Sequence, residues 1–190
     1  MRHLASFTIL SLDGCFAGPH GEIDWFKPND EEDRRFSGEN ARPGSTLVFG
    51  RTTYELMQSF WPTPAAQQAD PETARTLNEG QKIVFSRTLG PQPDGPVWKH
   101  TKVVREMTPA YVRDLKAQPG GDMVILGSGS IVRQLANAGL IDEFGFLIVP
   151  LVLGNGRYLF SGMQRIPMEL AGSRVFANGK VFLRYRHAGE

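Results

Sequence analysis

Cysteine is almost absent from this 190-residue chain: Cys15 stands alone. That excludes an internal disulfide and any zinc site built from several thiolates. Histidine is nearly as scarce, and His3, His20, His100 and His187 show no metal-ligand spacing, so no metal is expected. Net charge is close to missing: Lys+Arg 21 against Asp+Glu 20 leaves +1. With the two signs interspersed, nucleic acid and membrane are both excluded as expected partners. Long apolar runs are lacking as well. The most apolar stretch, Phe144 to Leu153, is interrupted by Gly145 and Pro150 and falls far below the roughly 18–20 residues of a spanning helix. The start, Met1 to Leu12, has no small-residue cleavage site, and no asparagine begins an Asn-x-Ser/Thr acceptor. A cytoplasmic protein is the expectation.

What is present is a chain 41% hydrophobic and 22% charged, enough for a sizeable core, with Gly 21 and Pro 13 signalling many tight turns. The length suits one domain spanning 1–190. Short runs rich in β-branched and aromatic residues read as strands: Leu4–Leu10, Thr46–Phe49, Gln81–Phe85, Val97–Val104, Asp122–Leu126, Glu143–Val149 and Val181–Arg186. Helical patterns lie between them at Asp30–Glu39, Thr52–Phe60, Pro109–Gln118 and Ser130–Ala138. The polar segment Pro62–Arg75 reads as a surface loop or short helix, Leu89–Pro96 as a loop, and Gly154-Asn155-Gly156 as a hairpin turn. Alternation of strand and helix in the middle implies an α/β sheet with parallel crossovers. The closing strands imply an antiparallel edge.

Three strand ends carry suggestive chemistry, because ligands of open α/β sheets sit where strands end and helix N-termini offer free N–H groups. In VILGSGSIVRQL (Val124–Leu135) a buried strand runs through Gly127-Ser128-Gly129-Ser130 into an amphipathic helix. The glycines permit close approach of a phosphate; the alternative is an ordinary tight turn. The third glycine of a Rossmann fingerprint is absent, Val132 standing in its place. In FGRTTYE, Gly50 precedes Arg51, Thr52 and Thr53 at a helix start, a phosphate contact or a plain N-cap. In FSRT, Ser86, Arg87 and Thr88 follow a third strand. Two helix N-termini suit a pyrophosphate, and two arginines suit the extra 2′-phosphate that separates NADP from NAD.

The set SLDG, FGRTTYE, FSRT and LGSGSIVRQL, followed by GLIDEF and PLVLGNG, resembles the dihydrofolate reductase-like superfamily. Within it, the chain is most similar to the C-terminal reductase domain of bifunctional riboflavin-biosynthesis enzymes and its stand-alone relatives. The resemblance implies a three-layer α/β/α fold around a mixed, mostly parallel eight-stranded sheet with an antiparallel C-terminal edge. It implies NADPH as cofactor, with Gly50, Arg51 and Thr53 at its phosphates and Ser86 and Arg87 near the adenosine 2′-phosphate. Gly127, Ser128, Gly129, Ser130 and Ile131 would wrap the pyrophosphate, and Ile9 and Phe16 would flank the nicotinamide. It also implies a homodimer, formed partly through the strand Phe144–Val149. The function implied is hydride transfer to a small heterocyclic substrate or ribosylamino-pyrimidine, of the 5-amino-6-(5-phosphoribosylamino)uracil reductase type. A dihydrofolate reductase and a non-catalytic NADPH- or flavin-binding protein on the same fold are the alternatives.

At the reacting end the catalytic candidates are three acids. Asp13, in SLDG, is the leading polar group for the ring's neighbourhood, although Asp13-Gly14 also suits a plain turn. Asp24, beside Trp25, lines the acceptor pocket or caps a turn. On the first helix Glu32 lies one turn before Phe36, with Asp33 one position away and a solvated face as the alternative.

Overall fold

A computed structural model describes residues 1–26, 31–90 and 98–188 of the chain. The first half runs β1 (Leu4–Ser11), β2 (Cys15–Ala17), α1 (Glu31–Glu39), β3 (Thr46–Gly50), α2 (Arg51–Phe60), α3 (Pro64–Ala69), α4 (Pro71–Glu79) and β4 (Gln81–Phe85). The second half runs β5 (Thr101–Val104), α5 (Pro109–Ala117), β6 (Met123–Leu126), α6 (Gly129–Asn137), β7 (Glu143–Val149), β8 (Arg157–Tyr158), β9 (Met168–Val175) and β10 (Val181–His187). Eight strands form one sheet in the order β5-β4-β3-β6-β1-β7-β10-β9. From β5 to β7 the neighbours are parallel, and β10 and β9 close the edge antiparallel. The three-layer, mostly parallel sheet with an antiparallel C-terminal edge is borne out.

The layers follow from side-chain alternation. On β1, Leu4 and Leu10 face one core with Val112 and Leu115 of α5 and Ile131, Val132 and Leu135 of α6. Phe7 faces the other, with Phe36 of α1, Tyr54 of α2, Leu77 of α4 and Phe176. The central strands β3 and β6 are therefore buried on both faces, which is why they read as unbroken apolar runs. Aromatic edges lock the second layer, Phe36 meeting Phe176 at 5.0 Å and Phe182 at 4.8 Å between centroids.

Several expectations are corrected. Of the two readings of Pro62–Arg75, surface loop or short helix, the structure bears out the helix: the segment holds α3 and most of α4, each opened by a proline at the first turn and capped by the side chains of Thr63 and Asp70. Polar composition left the loop reading open because only Ala66 of α3, and Thr73, Ala74 and Leu77 of α4, are buried. The strand expected from Val97 starts at Thr101, after a turn that buries Trp98. Asp30 and Val97 lie outside the described residues, as does most of the loop expected at Leu89–Pro96. Gly154-Asn155-Gly156 is not a hairpin turn, since β8 pairs with β2 rather than with β7. Strand β9 lacks the apolar alternation that signals a strand; nearly all of it is exposed, because it is the outermost strand.

Buried ammonium groups staple the layers. Lys82 is 1% exposed and donates to the carbonyls of Asn78 (3.2 Å), Gly80 (2.7 Å) and Lys99 (3.0 Å), closing the end of α4. Burial lowers its pKa to about 8. Lys116 ties α5 to the carbonyl of Leu140 (2.9 Å) and to Asp142 (2.6 Å). Among the described residues no helix is long and apolar enough to cross a membrane.

Candidate functional site

The carboxyl edge of the sheet is stepped. Strand β6 stops at Leu126, level with Phe7, whereas β1 runs on beside β7 until Ser11 meets Val149. Into that step goes the turn Gly127-Ser128, both residues with left-handed φ, +59° and +52°. The Gly127 N–H donates to the carbonyl of Phe7 (2.8 Å). Ser128 is the knot of the edge. Its Oγ accepts from the N–H of Gly50 (3.0 Å) and donates to the carbonyl of Leu126 (3.2 Å), while its own N–H donates to Thr53 Oγ1 (3.2 Å). The starts of α2 and α6, on the neighbouring strands β3 and β6, are thereby held as one unit.

These two helix starts differ from those of α3, α4 and α5. Helices α3, α4 and α5 are capped by the side chains of Thr63, Asp70 and Thr108. Helices α2 and α6 have no side-chain cap, their N-cap residues being Gly50 and Ser128. Uncapped first-turn N–H groups with the helix dipole behind them make a site for an anion. The surroundings keep that space tight. A Cβ on Gly50 would touch Ile131 at 3.4 Å, and one on Gly129 would come within 2.8 Å of the Phe16 ring. Phe16, on β2, therefore lies against the start of α6, and Ile9 is packed on the opposite core.

The arginine corner lies on the same edge. Gly50 and Phe85 are register partners on parallel strands, so Arg51, one residue further on, and Arg87, two residues further on, both follow the carboxyl ends of neighbouring strands. Both are exposed. Arg51 makes a loose ion pair with Glu55 at 3.7 Å, an exposed contact that a phosphate can displace. Ser86 is buried, and its Oγ accepts from the N–H groups of Thr88 (3.2 Å) and Leu89 (2.9 Å), so the hydroxyl shapes the turn that presents Arg87. A residue missed in the sequence, Arg105, braces this turn by donating to the carbonyls of Arg87 (3.2 Å) and Leu89 (2.6 Å).

The acids at the reacting end separate by environment. Asp13 accepts from Ser11 Oγ (2.6 Å) and from the N–H groups of Leu153 (3.1 Å) and Gly154 (2.9 Å). The Ser11 hydroxyl first, then the Leu153 N–H, hold its pKa down at about 2. Asp13 clips the loop after β7 to the loop after β1 and carries no proton at neutral pH. Cys15 is buried, and burial followed by the charge of Asp13 pushes its thiol up, so it stays protonated. Asp24 is exposed on the loop before α1. Glu32 is turned to the outer face, paired with Arg174 at 2.6 Å. Among the described side chains of α1 the buried acid is instead Asp33, 1% exposed, paired with the buried Lys180 and accepting from Asn178 Nδ2 (3.1 Å). Helical spacing from Phe36 allows either acid inward. The deciding partner, Lys180, is 147 residues away, and no local signal points to it.

The chain is similar to several known proteins. The RibD C-terminal domain family matches residues 2–182. The protein YyaP of Bacillus subtilis (strain 168) is 30% identical over 189 residues, 99% of this chain and 96% of that one. A protein named for riboflavin biosynthesis from Shewanella sp. PV-4 superimposes with a TM-score of 0.75 at 22% identity, over 99% of this chain and 100% of that chain. A dihydrofolate reductase from Enterococcus faecalis, solved with NADP(H) and RAB-propyl, gives a TM-score of 0.65 at 18% identity, over 98% of this chain and 97% of that chain.

Proposed function

Because the chain belongs to the RibD C-terminal domain family, we propose that it is an NADPH-dependent reductase acting on a nitrogen heterocycle, of the 5-amino-6-(5-phosphoribosylamino)uracil reductase type. The observation that carries the cofactor reading is the pair of uncapped helix starts knotted by Ser128, with two exposed guanidinium groups on the same edge. The N–H groups of Gly129 and Ser130 would bind the diphosphate at α6, and Gly50 and Thr53 would hold the turn at α2 in place. Arg51 and Arg87 would take the 2′-phosphate; paired guanidinium contacts suit a phosphate dianion better than a ribose hydroxyl. NADPH, when bound, supplies a hydride to the acceptor.

The remaining residues order the reacting end. Ile9 and Phe16 would wall the ring, and the Asp13 clip fixes the two loops that close over it. Asp13 acts as a positioning residue, since an acid with a pKa near 2 has no proton to deliver at pH 7. Glu32 is spent on Arg174. The proton that completes reduction of a C=N bond then enters from solvent, to the nitrogen next to the carbon that takes the hydride.

Titration of the protein with NADPH and NADH, followed by nicotinamide fluorescence, tests the cofactor reading. NADPH should bind at least tenfold tighter, and Arg87→Ala and Arg51→Ala should each erase most of that preference while leaving NADH unchanged. Equal affinities in the native protein contradict the reading.

A further inference from the structure

The side of the sheet opposite β5 ends in an open edge. Strand β9 is outermost, so among the described residues no strand pairs with its outer N–H and C=O groups, and it carries no lysine or proline to discourage one. Its two faces differ. Arg174, Gly172 and Glu169 are in register with Phe182, Arg184 and Arg186 of β10, on the face where Phe182 meets Phe36 of α1. Leu170, Ser173 and Val175 lie on the other face, beside Tyr185, Leu183 and Val181, and Leu170 and Val175 are exposed.

On the α1 face one of three guanidinium groups lacks a counter-charge. Arg174 pairs with Glu32 at 2.6 Å and Arg186 with Glu143 at 3.1 Å. The guanidinium of Arg184, between them, makes no ion pair among the described residues, and its Nε is buried without a hydrogen-bond partner. Glycines stand on both sides of it, Gly145 on β7 and Gly172 on β9. The guanidinium lies over Gly172: a Cβ there would come within 3.2 Å of Nη2 and 3.5 Å of Nε. It therefore reaches the open edge across a position that has no side chain. A half-buried cation without a counter-charge is costly, and a carboxylate opposite Gly172 on an added strand would offset that cost with a charge-assisted bond. Residues next to that acid fall on the other face, beside Ser173 and Leu170, where apolar side chains would cover Leu170 and Val175. A second copy of this chain is a poor occupant. Laid antiparallel about Gly172, it brings two Arg184 groups together. The register that sets its Glu169 against Gly172 centres on Ala171, the bulged residue left out of the ladder. We propose that β9 docks an extended segment of another protein as a ninth strand, with a carboxylate on Arg184 and apolar residues on either side of that acid. The inference goes beyond the reductase reading and does not rest on it.

The test uses a blocked heptapeptide, Ser-Thr-Val-Glu-Val-Thr-Ser, and its twin with glutamine for glutamate. Each is titrated at pH 7 into the native protein and followed by amide NMR and hydrogen exchange. The glutamate peptide should shift and protect the β9 amides and bind about fivefold tighter than its twin, a margin that shrinks with added salt. Arg184→Met should bind both peptides alike, at the affinity of the glutamine twin. Arg184→Lys should keep part of the preference. Equal binding of the two peptides to the native protein overturns the proposal. So does binding of neither, or a preference that survives Arg184→Met. Protection of the β9 amides that rises with protein concentration, without peptide, overturns it too, because a second copy then fills the edge. If Arg184→Met does not fold, the native ratio and its salt dependence decide.

Discussion

Replacing Ser128 by alanine probes the knot that joins the two helix starts. The hydroxyl makes two hydrogen bonds, to the Gly50 N–H at 3.0 Å and the Leu126 carbonyl at 3.2 Å, from a residue only 8% exposed. Gly50 is half-buried, so water replaces part of what its N–H loses. The net cost is about 1–2 kcal/mol. For a domain of this size that lowers Tm by roughly 2–8 °C. Ser128→Gly separates the side chain from the backbone. It loses the same bonds but relieves a φ of +52°, a conformation that costs a residue with a Cβ about 1 kcal/mol. Ser128→Gly should therefore melt above Ser128→Ala and below the native protein, by urea or thermal unfolding followed by circular dichroism. Both variants should bind NADPH more weakly, since the starts of α2 and α6 are no longer held together. Native-like melting of Ser128→Ala, or Ser128→Gly melting below it, would refute the knot.

Two pH predictions follow from titratable groups. The folded-state pKa of Lys82, lowered to about 8, leaves the unfolded chain holding an extra proton between pH 8 and 10.5, so this group makes stability rise with pH across that window. Denaturant midpoints should show that rise in the native protein and lose it in Lys82→Met. The pKa of Asp13 is lowered too, to about 2, but there the charged form is the favoured one, so its contribution is full above the ordinary carboxylate range near 3.8 and lost as pH falls to about 2. Asp13→Asn should flatten that acid limb and speed hydrogen exchange at Leu153 and Gly154, whose N–H groups lose their acceptor. Unchanged exchange at both amides would contradict the clip.

The edge proposed for the cofactor was legible in the sequence as two strand–turn–helix junctions because its signals are local. VILGSGSIV and FGRTTYE each carry a buried strand, a turn and a helix start within a dozen residues, and the structure brings both to one edge through Ser128. The acceptor side was not legible for the opposite reason. Whether Asp33 or Glu32 points inward is decided by Lys180 and Arg174, each more than 140 residues away. The SLDG tetrapeptide singled out Asp13, but the contacts that the side chain makes are to the backbone of Leu153 and Gly154, which sequence spacing does not bring near. Strand β9 escaped, and the segment of α3 and α4 stayed open between loop and short helix, because exposed elements carry weak hydrophobic periodicity.

The central claim is that the starts of α2 and α6 hold a dinucleotide diphosphate, with Arg51 and Arg87 on its 2′-phosphate. A crystal structure of the protein with NADPH tests it most directly. The account predicts diphosphate oxygens within hydrogen-bond distance of the Gly129 and Ser130 N–H groups, and the 2′-phosphate between the two guanidinium groups. A cofactor bound elsewhere, or bound here with both arginines turned to solvent, would contradict it.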